Sequence, residues 1–344
     1  MRICKFLICC LLLASWQPSV AQVKEKDKKP PKGFTFEDAQ SVRFTNGSMF
    51  TGEIVDKRPN GYGALVNLQG DTTYLGYWTS GKRHGYGDAA FKNKDRYAGE
   101  WKMGVREGYG RIDYYKGGSY EGQWEDNLKH GEGKHELPNG DVYEGAFIAG
   151  KRHGKGKLYS KDLTYDGDWI DDKKNGEGFQ KVITDTYVEE YKGAFVDGEF
   201  HGHGYRKYDM MNGMRVEEYV GNWEKGHRIG EGQYKLQDQF FEGMWKIDEI
   251  TGEGTCQTKD GMYRGGFLKG FFHGQGIFEG FDGSVYEGQW DRGKRHGYGK
   301  QVYSDKSVYE GDFHRDMRYG KGSLSRPDGS VQSGTFKDDK FIGG

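Results

Sequence analysis

Apolar positions along this chain are sparse and evenly spaced. From Phe50 to Gly322 one frame recurs: an aromatic, any residue, a glycine, any residue, a second aromatic, then seven positions later Gly-x-Gly. Counting the leading aromatic as position 0, the glycines fall at +2, +11 and +13. Twelve copies start at Phe50, Tyr74, Tyr97, Tyr120, Tyr143, Tyr165, Tyr191, Tyr219, Phe241, Tyr263, Tyr286 and Tyr309, and a thirteenth begins near Gln332. Aromatic, glycine and aromatic at 0, +2 and +4 have period two, so they share one face of a strand. Gly-x-Gly shares a face in the same way and opens a return strand. Each unit is therefore a β-hairpin, and spacings of 22 to 28 residues between starts call for stacked units.

Glycine weakens a strand, so its fixed placement needs a cause. The expected one is close approach of aromatic rings over bare backbone, giving a single layer whose core is a row of rings. Position +7 tests the hairpin independently: its occupants are Gly, Asn or Asp in every unit except the first, which has Lys57. These residues tolerate a positive φ most readily, so a left-handed turn residue is expected there. All length variation lies between the second Gly and the next aromatic. Longer connections at 179–190 and 205–218 are neighbours and should make one local protrusion; the second holds Tyr205, Tyr208, Met210, Met211 and Met214.

Only 34% of the 344 residues are hydrophobic, and the mean hydropathy of −0.93 would suit a disordered chain. The aromatic share of 15% and the ordered placement of the 58 glycines oppose that. Lys plus Arg (51) nearly balances Asp plus Glu (52), which argues against nucleic acid as a partner. Residues 1–21, with Arg2 and Lys5 before an apolar run and Ser19-Val20-Ala21 after it, have the form of a cleavable signal peptide. That implies a secreted or periplasmic protein, cleaved after Ala21. Residues 22–33 form a charged, Pro-containing stretch expected to be a flexible tether, and the array occupies 34–344. Loss of the signal would leave Cys256 as the one cysteine, which precludes an internal disulfide.

These residues resemble the MORN repeat family (membrane occupation and recognition nexus), whose motif runs Tyr-x-Gly-x-Trp and then Gly-x-x-His-Gly-x-Gly. Tyr74, Gly76, Trp78, Gly85 and Gly87 match it at every landmark, as do Tyr286, Gly288, Trp290, Gly297 and Gly299. The resemblance implies an all-β, elongated, single-layer twisted antiparallel sheet of about 12–13 stacked hairpins, with degenerate units at both ends. It also implies a scaffold: such arrays assist dimerisation, bind a partner along an aromatic groove, or have been proposed to bind phospholipid.

No catalytic residue, cofactor or metal is expected, because a catalytic site needs a unique constellation and these polar residues recur unit by unit. Histidines at +10 (His84, His130, His153, His201, His273, His296) form a ladder. Two strand spacings put equivalent atoms roughly 9.6 Å apart, too far for a shared zinc ligated at about 2.0–2.1 Å. Gly-x-Gly does not lead into a helix, which excludes a phosphate-binding glycine loop. Two interaction surfaces remain. A protein partner, with a second copy of the chain among the options, would meet groove aromatics such as Trp169, Phe195 and Trp223 together with the 205–218 insert. A phospholipid headgroup would meet basic hairpin tips at Lys82, Arg83, Lys151, Arg152, Lys294 and Arg295.

Overall fold

The computed structural model describes residues 29–344 except Asn212. The signal-peptide segment and residues 22–28 of the tether lie outside the described residues. The fold is an open antiparallel sheet of 27 strands in hairpin repeats, with no helix among the described residues. The chain divides into two compact units, Met1–Lys151 and Arg152–Gly344.

In the first unit, a short strand, Gln40–Arg43, precedes hairpins such as Thr72–Thr79/Lys82–Ala90 and Arg96–Lys102/Val105–Asp113. Each strand pairs with the next in sequence, and the pairing brings the framework glycines into one row. Gly52 lies opposite Gly63, Gly63 opposite Gly76, and the row continues through Gly87, Gly99, Gly110, Gly122 and Gly133 to Gly145. The second unit repeats this from Gly156 to Gly334.

The rings explain the row. A Cβ on Gly87 would stand 2.1 Å from the Tyr74 hydroxyl oxygen, and one on Gly110 would stand 2.2 Å from that of Tyr97. Leading aromatics are almost fully buried: Tyr74, Tyr120, Tyr143, Tyr191 and Tyr309 are all 0% exposed. Most meet two neighbours edge-on; Tyr97 lies 5.1 Å from Trp101 of its own unit and 5.4 Å from Trp124 of the next. Edge-to-face pairs of this kind add to area burial, so a single sheet carries its own core.

The polar tips of the rings are satisfied too, with Trp245 Nε1 as an exception, a detail the frame did not announce. The Tyr97 hydroxyl donates to the Glu100 carbonyl at 3.0 Å, and the same bond to the +3 carbonyl recurs at Tyr74, Tyr120, Tyr143, Tyr165, Tyr191, Tyr219, Tyr263, Tyr286 and Tyr309. Trp101 Nε1–H donates to the Gly87 carbonyl at 3.0 Å and Trp124 to Gly110 at 3.0 Å. Burial without such a partner would cost about 1–3 kcal/mol per group.

The turn is tighter in its demands than expected. Position +7 has positive φ throughout, Lys57 included (61°), but so has +6, as at Ala149 (49°) and Ile247 (48°). Two successive positive φ values make a type I′ hairpin turn, whose twist suits the flanking strands. The paired glycines have different causes, which corrects the expectation of one cause for both. Only the +13 glycine lies under a ring. The +11 glycine sits in a β-bulge at positive φ, +65° at Gly85 and +77° at Gly108. The bulge is capped by the +3 side chain: Glu100 accepts from the Tyr109 N–H at 3.3 Å, Asp168 from Glu177 at 3.0 Å and Asp312 from Lys321 at 3.2 Å.

The face opposite the rings is met by residues at the start of the described chain: the Tyr77 hydroxyl donates to the carbonyl of Lys29, in the stretch expected to be a tether, at 2.8 Å, and Phe34, at the start of the array, packs on Tyr62 at 5.2 Å. Tyr62 is consequently 7% exposed, whereas its +12 counterpart Tyr298 is 56% exposed.

Candidate functional site

The candidate sites of a repeat array are its two faces and the places where the frame is broken. The ring face is closed over by long side chains at +9, which pair across the hairpin with the +4 aromatic. Arg106 lies 4.1 Å over Trp124 and 5.7 Å over Tyr97; Arg152 lies 4.2 Å over Trp169; Arg228 lies 4.3 Å over Trp245. A cation over an aromatic face is attracted by the ring quadrupole, more strongly once desolvated. The +7 residue of the following unit then holds each guanidinium. Asp172 Oδ1 accepts from the Arg152 backbone N–H (3.1 Å) and Nε–H (3.0 Å), and the Asp172 carbonyl accepts from Nη2–H at 2.8 Å. Asp248, Asp316 and Asp339 hold Arg228, Arg295 and Arg318 in the same way. The sequence carried this signal as a recurrent Lys or Arg at +9 and Asp at +7, but only pairing register shows that the two meet across successive units.

Two consequences bear on the expected surfaces. Trp169, Phe195 and Trp223 are 2%, 0% and 4% exposed. They are core rings under a cover, not the lining of an open groove. Arg83, Arg152 and Arg295 lie back over rings instead of extending from hairpin tips; only the neighbouring Lys82, Lys151 and Lys294 are exposed. Among the described residues no group of three or more His, Cys, Asp or Glu side chains is placed to hold a metal. The +10 histidines sit at the bulge; His130 Nδ1 is 2.8 Å from Glu125, and the His296 and His314 rings are 5.1 Å apart.

One covering position is occupied by lysine in an environment poor in counter-charge. Lys174 lies 5.1 Å over Tyr165 and reaches the Gln180 amide oxygen. Burial, with a smaller effect from the Arg152 charge, pushes its amine down to about 8. At Tyr191 and Tyr263 the cover is an aromatic: Phe200 stacks flat on Tyr191 at 3.7 Å and Phe272 on Tyr263 at 3.8 Å. Burial raises the phenol of Tyr191 to about 12.

The long connections become longer strands. Lys173–Ile183, Tyr187–Val196 and Glu199–Met210 have 11, 10 and 12 residues, against 7 and 9 in Arg96–Lys102 and Val105–Asp113. The two extended ends meet, as expected of neighbouring insertions, through the Met211 N–H donating to the Thr186 carbonyl at 3.0 Å. Tyr208 stacks on Tyr187 at 5.1 Å, with Arg206 5.4 Å from its ring and paired to Glu189 at 2.6 Å. Tyr205 and Met210 are half-buried, whereas Met211 and Met214 are 58% and 72% exposed. The candidate contact residues of the insert thus separate into a stacked base and an exposed apolar tip.

Comparison with known proteins agrees with this architecture. Alsin from human is 33% identical and alsin from rat 28% identical over 87 residues, which are 25% of this chain and 5% of each alsin. This chain therefore corresponds to a small part of those proteins. A catalytically inactive virginiamycin B lyase from Staphylococcus aureus overlays 88% of this chain and 97% of its own at 9% identity, with a TM-score of 0.13 that has no bearing on fold or chemistry. The MORN repeat model matches eleven consecutive segments, from 74–96 to 309–331. The unit at Phe50, with Ile54 and Lys57 at frame positions, is not matched but forms the same hairpin, Met49–Val55/Arg58–Val66. With matches over more than half its length, the chain belongs to the MORN repeat family.

Proposed function

We propose that this protein is a non-catalytic scaffold that binds a protein partner outside the cytoplasm, secreted or periplasmic, through the lengthened hairpins at 187–218. The observation that carries this is the exposed methionine tip, Met211 and Met214, held on a hydrogen-bonded and ring-stacked base. Methionine is flexible and polarisable, and it suits a surface that must pack against a partner. Other connections are shorter and expose at most one large apolar side chain at the turn, as at Leu68, Tyr115 and Phe281, whereas this one exposes two methionines.

The test is affinity capture from the source's envelope or secreted fraction with residues 22–344 as bait. Parallel baits lack 205–218 or carry Met211→Ser with Met214→Ser. A protein retained by the intact bait and lost with both variants supports the reading, provided circular dichroism shows the variants folded. Equal retention by the double-serine bait removes the insert as the contact. Retention of anionic vesicles alone, lost on neutralising Lys82, Lys151 and Lys294 or on adding salt, replaces the protein partner with a lipid surface.

A further inference from the structure

Among the +9 arginines, Arg83 is the exception. Its guanidinium lies 5.0 Å over Tyr74 and 4.9 Å over Trp101, as its counterparts lie over their rings. Burial lowers its pKa, so the charge is held where water is partly excluded. Yet the following unit presents Gly104 at +7, where Arg152, Arg228, Arg295 and Arg318 meet an aspartate and Arg106 meets Asn127. No hydrogen bond or ion pair satisfies the Arg83 guanidinium among the described residues. The space that a side chain on Gly104 would enter is open: a Cβ there has nothing within 4 Å.

We propose that Arg83, with the open position above Gly104, is a binding site for a carboxylate supplied by an acidic segment of a protein partner. The chain itself shows the ligand chemistry. At Asp172 one carboxylate oxygen accepts from both the backbone N–H and the Nε–H of Arg152. Gly104 meets Arg83 in the register in which Asp172 meets Arg152, its N–H donating to the arginine carbonyl at 2.8 Å against 3.0 Å, so an Asp or Glu from outside can make the bonds that Asp172 makes from within. Charge-assisted bonds of a guanidinium to a carboxylate are among the stronger ones, and partial burial strengthens them further. This deepens the reading of the chain as a protein-binding scaffold by naming a partner feature. It concerns the first unit alone, so failure of the insert at 205–218 in capture would leave it standing.

The experiment uses the full chain and a fluorescein-labelled Gly-Asp-Gly-Asp-Gly peptide, read by anisotropy at low salt, with the Trp101 indole N–H followed by NMR. Arg83→Gln is expected to weaken binding about tenfold or more. Gly104→Asp places an internal carboxylate on Arg83, at a turn position where Asp172 already holds a φ of 71°. It should weaken binding as much while raising the thermal midpoint, which separates occupancy of the site from misfolding. Lys92→Gln, an equal charge change at an exposed position outside the candidate sites, should leave binding unchanged. Undiminished binding by Gly104→Asp, equal loss with Lys92→Gln, or no binding by the wild type would overturn the proposal. So would Arg83-dependent binding of inorganic phosphate or phosphatidylserine vesicles at concentrations where the peptide does not bind, since the site would then serve a phosphate or a lipid surface.

Discussion

The hairpin Arg96–Lys102/Val105–Asp113 and the hairpin Tyr187–Val196/Glu199–Met210 share a frame and differ in almost everything around it. Both place a tyrosine over the glycine row, with Tyr97 over Gly110 and Tyr191 over Gly204. Both send the hydroxyl to the +3 carbonyl at 3.0 Å, and both have a bulge glycine at positive φ, Gly108 and Gly202. The regular hairpin ends where the frame ends and is covered by Arg106; the lengthened one continues past the frame and is covered by Phe200. Ring, glycine and turn therefore form a closed local unit whose geometry does not depend on what the strands do beyond it. Cover and extension are free to vary, and both candidate contact sites use that freedom: Arg83 as a cover without its partner, and 205–218 as an extension.

The sharpest way to break this comparison is to put a methyl group under each ring. In Gly110→Ala and Gly204→Ala the new Cβ would stand 2.2 Å and 2.5 Å from the tyrosine hydroxyl oxygen, so the ring must leave its seat. Overpacking of this kind costs about 3 kcal/mol, and both variants should lose it equally in urea midpoints measured on the full chain. A much smaller loss at Gly204 would mean that the extension loosens the frame. Gly226→Ala is the control, since its Cβ has open space and only the positive φ of 79° is strained; about 1 kcal/mol is expected there.

The covers differ in how they respond to pH. Arg106 stays charged over Tyr97 at any ordinary pH, whereas Lys174, in the first of the lengthened strands, has its amine lowered by burial to about 8. A folded pKa below the unfolded value of 10.5 means that the unfolded chain binds more protons between about 8 and 10.5. The stability linked to Lys174 is therefore complete above 10.5 and lost as the pH falls through 8. Lys174→Met removes that titration. The variant should be the more stable of the two at pH 7, and its margin should shrink to nothing by pH 10.5 in thermal midpoints taken as a difference from wild type. The difference cancels the buried tyrosines, whose raised pKa values pull the other way above pH 10. A margin independent of pH would place Lys174 in water.

Period two at 0, +2 and +4 was enough to read the strands, the shared face and the turn at +7, because each rests on one residue type whose backbone or size permits little else. What escaped reading depends on register. Whether Gly85 needs its conformation or Gly87 its bareness cannot be told from Gly-x-Gly, since a bulge leaves no composition signal; it appears only when Gly87 pairs with Gly76 and Trp78 with Arg83. The +6 turn residue escaped because Ile247 and Ala149 are held at positive φ by their hairpins against their own preference. The aromatic face read as a groove because strand alternation says which residues share a face but not which long side chains fold over it. Arg83 and Arg152 are identical in local sequence, Lys-Arg-His-Gly, and only the residue 20 or so positions later, Gly104 or Asp172, separates an open cover from a closed one.

The smallest test concerns the hydroxyl at the ring tip, where the two hairpins should again agree. Tyr97→Phe and Tyr191→Phe each remove a donor from a carbonyl at 3.0 Å while leaving the ring on its glycine. Each should cost about 1 kcal/mol. The reverse change exists in the chain, since Phe241 occupies the leading position of its unit and sits over Gly254 without a hydroxyl to offer. Phe241→Tyr should gain a few tenths of a kcal/mol to about 1 kcal/mol by donating to the Met244 carbonyl, read as a rise in the urea midpoint at unchanged slope. A loss on Phe241→Tyr would mean that the unit has closed around the smaller ring. The frame would then tolerate phenylalanine by local repacking, and the hydroxyl bond would be a consequence of the ring's seat instead of one of its causes.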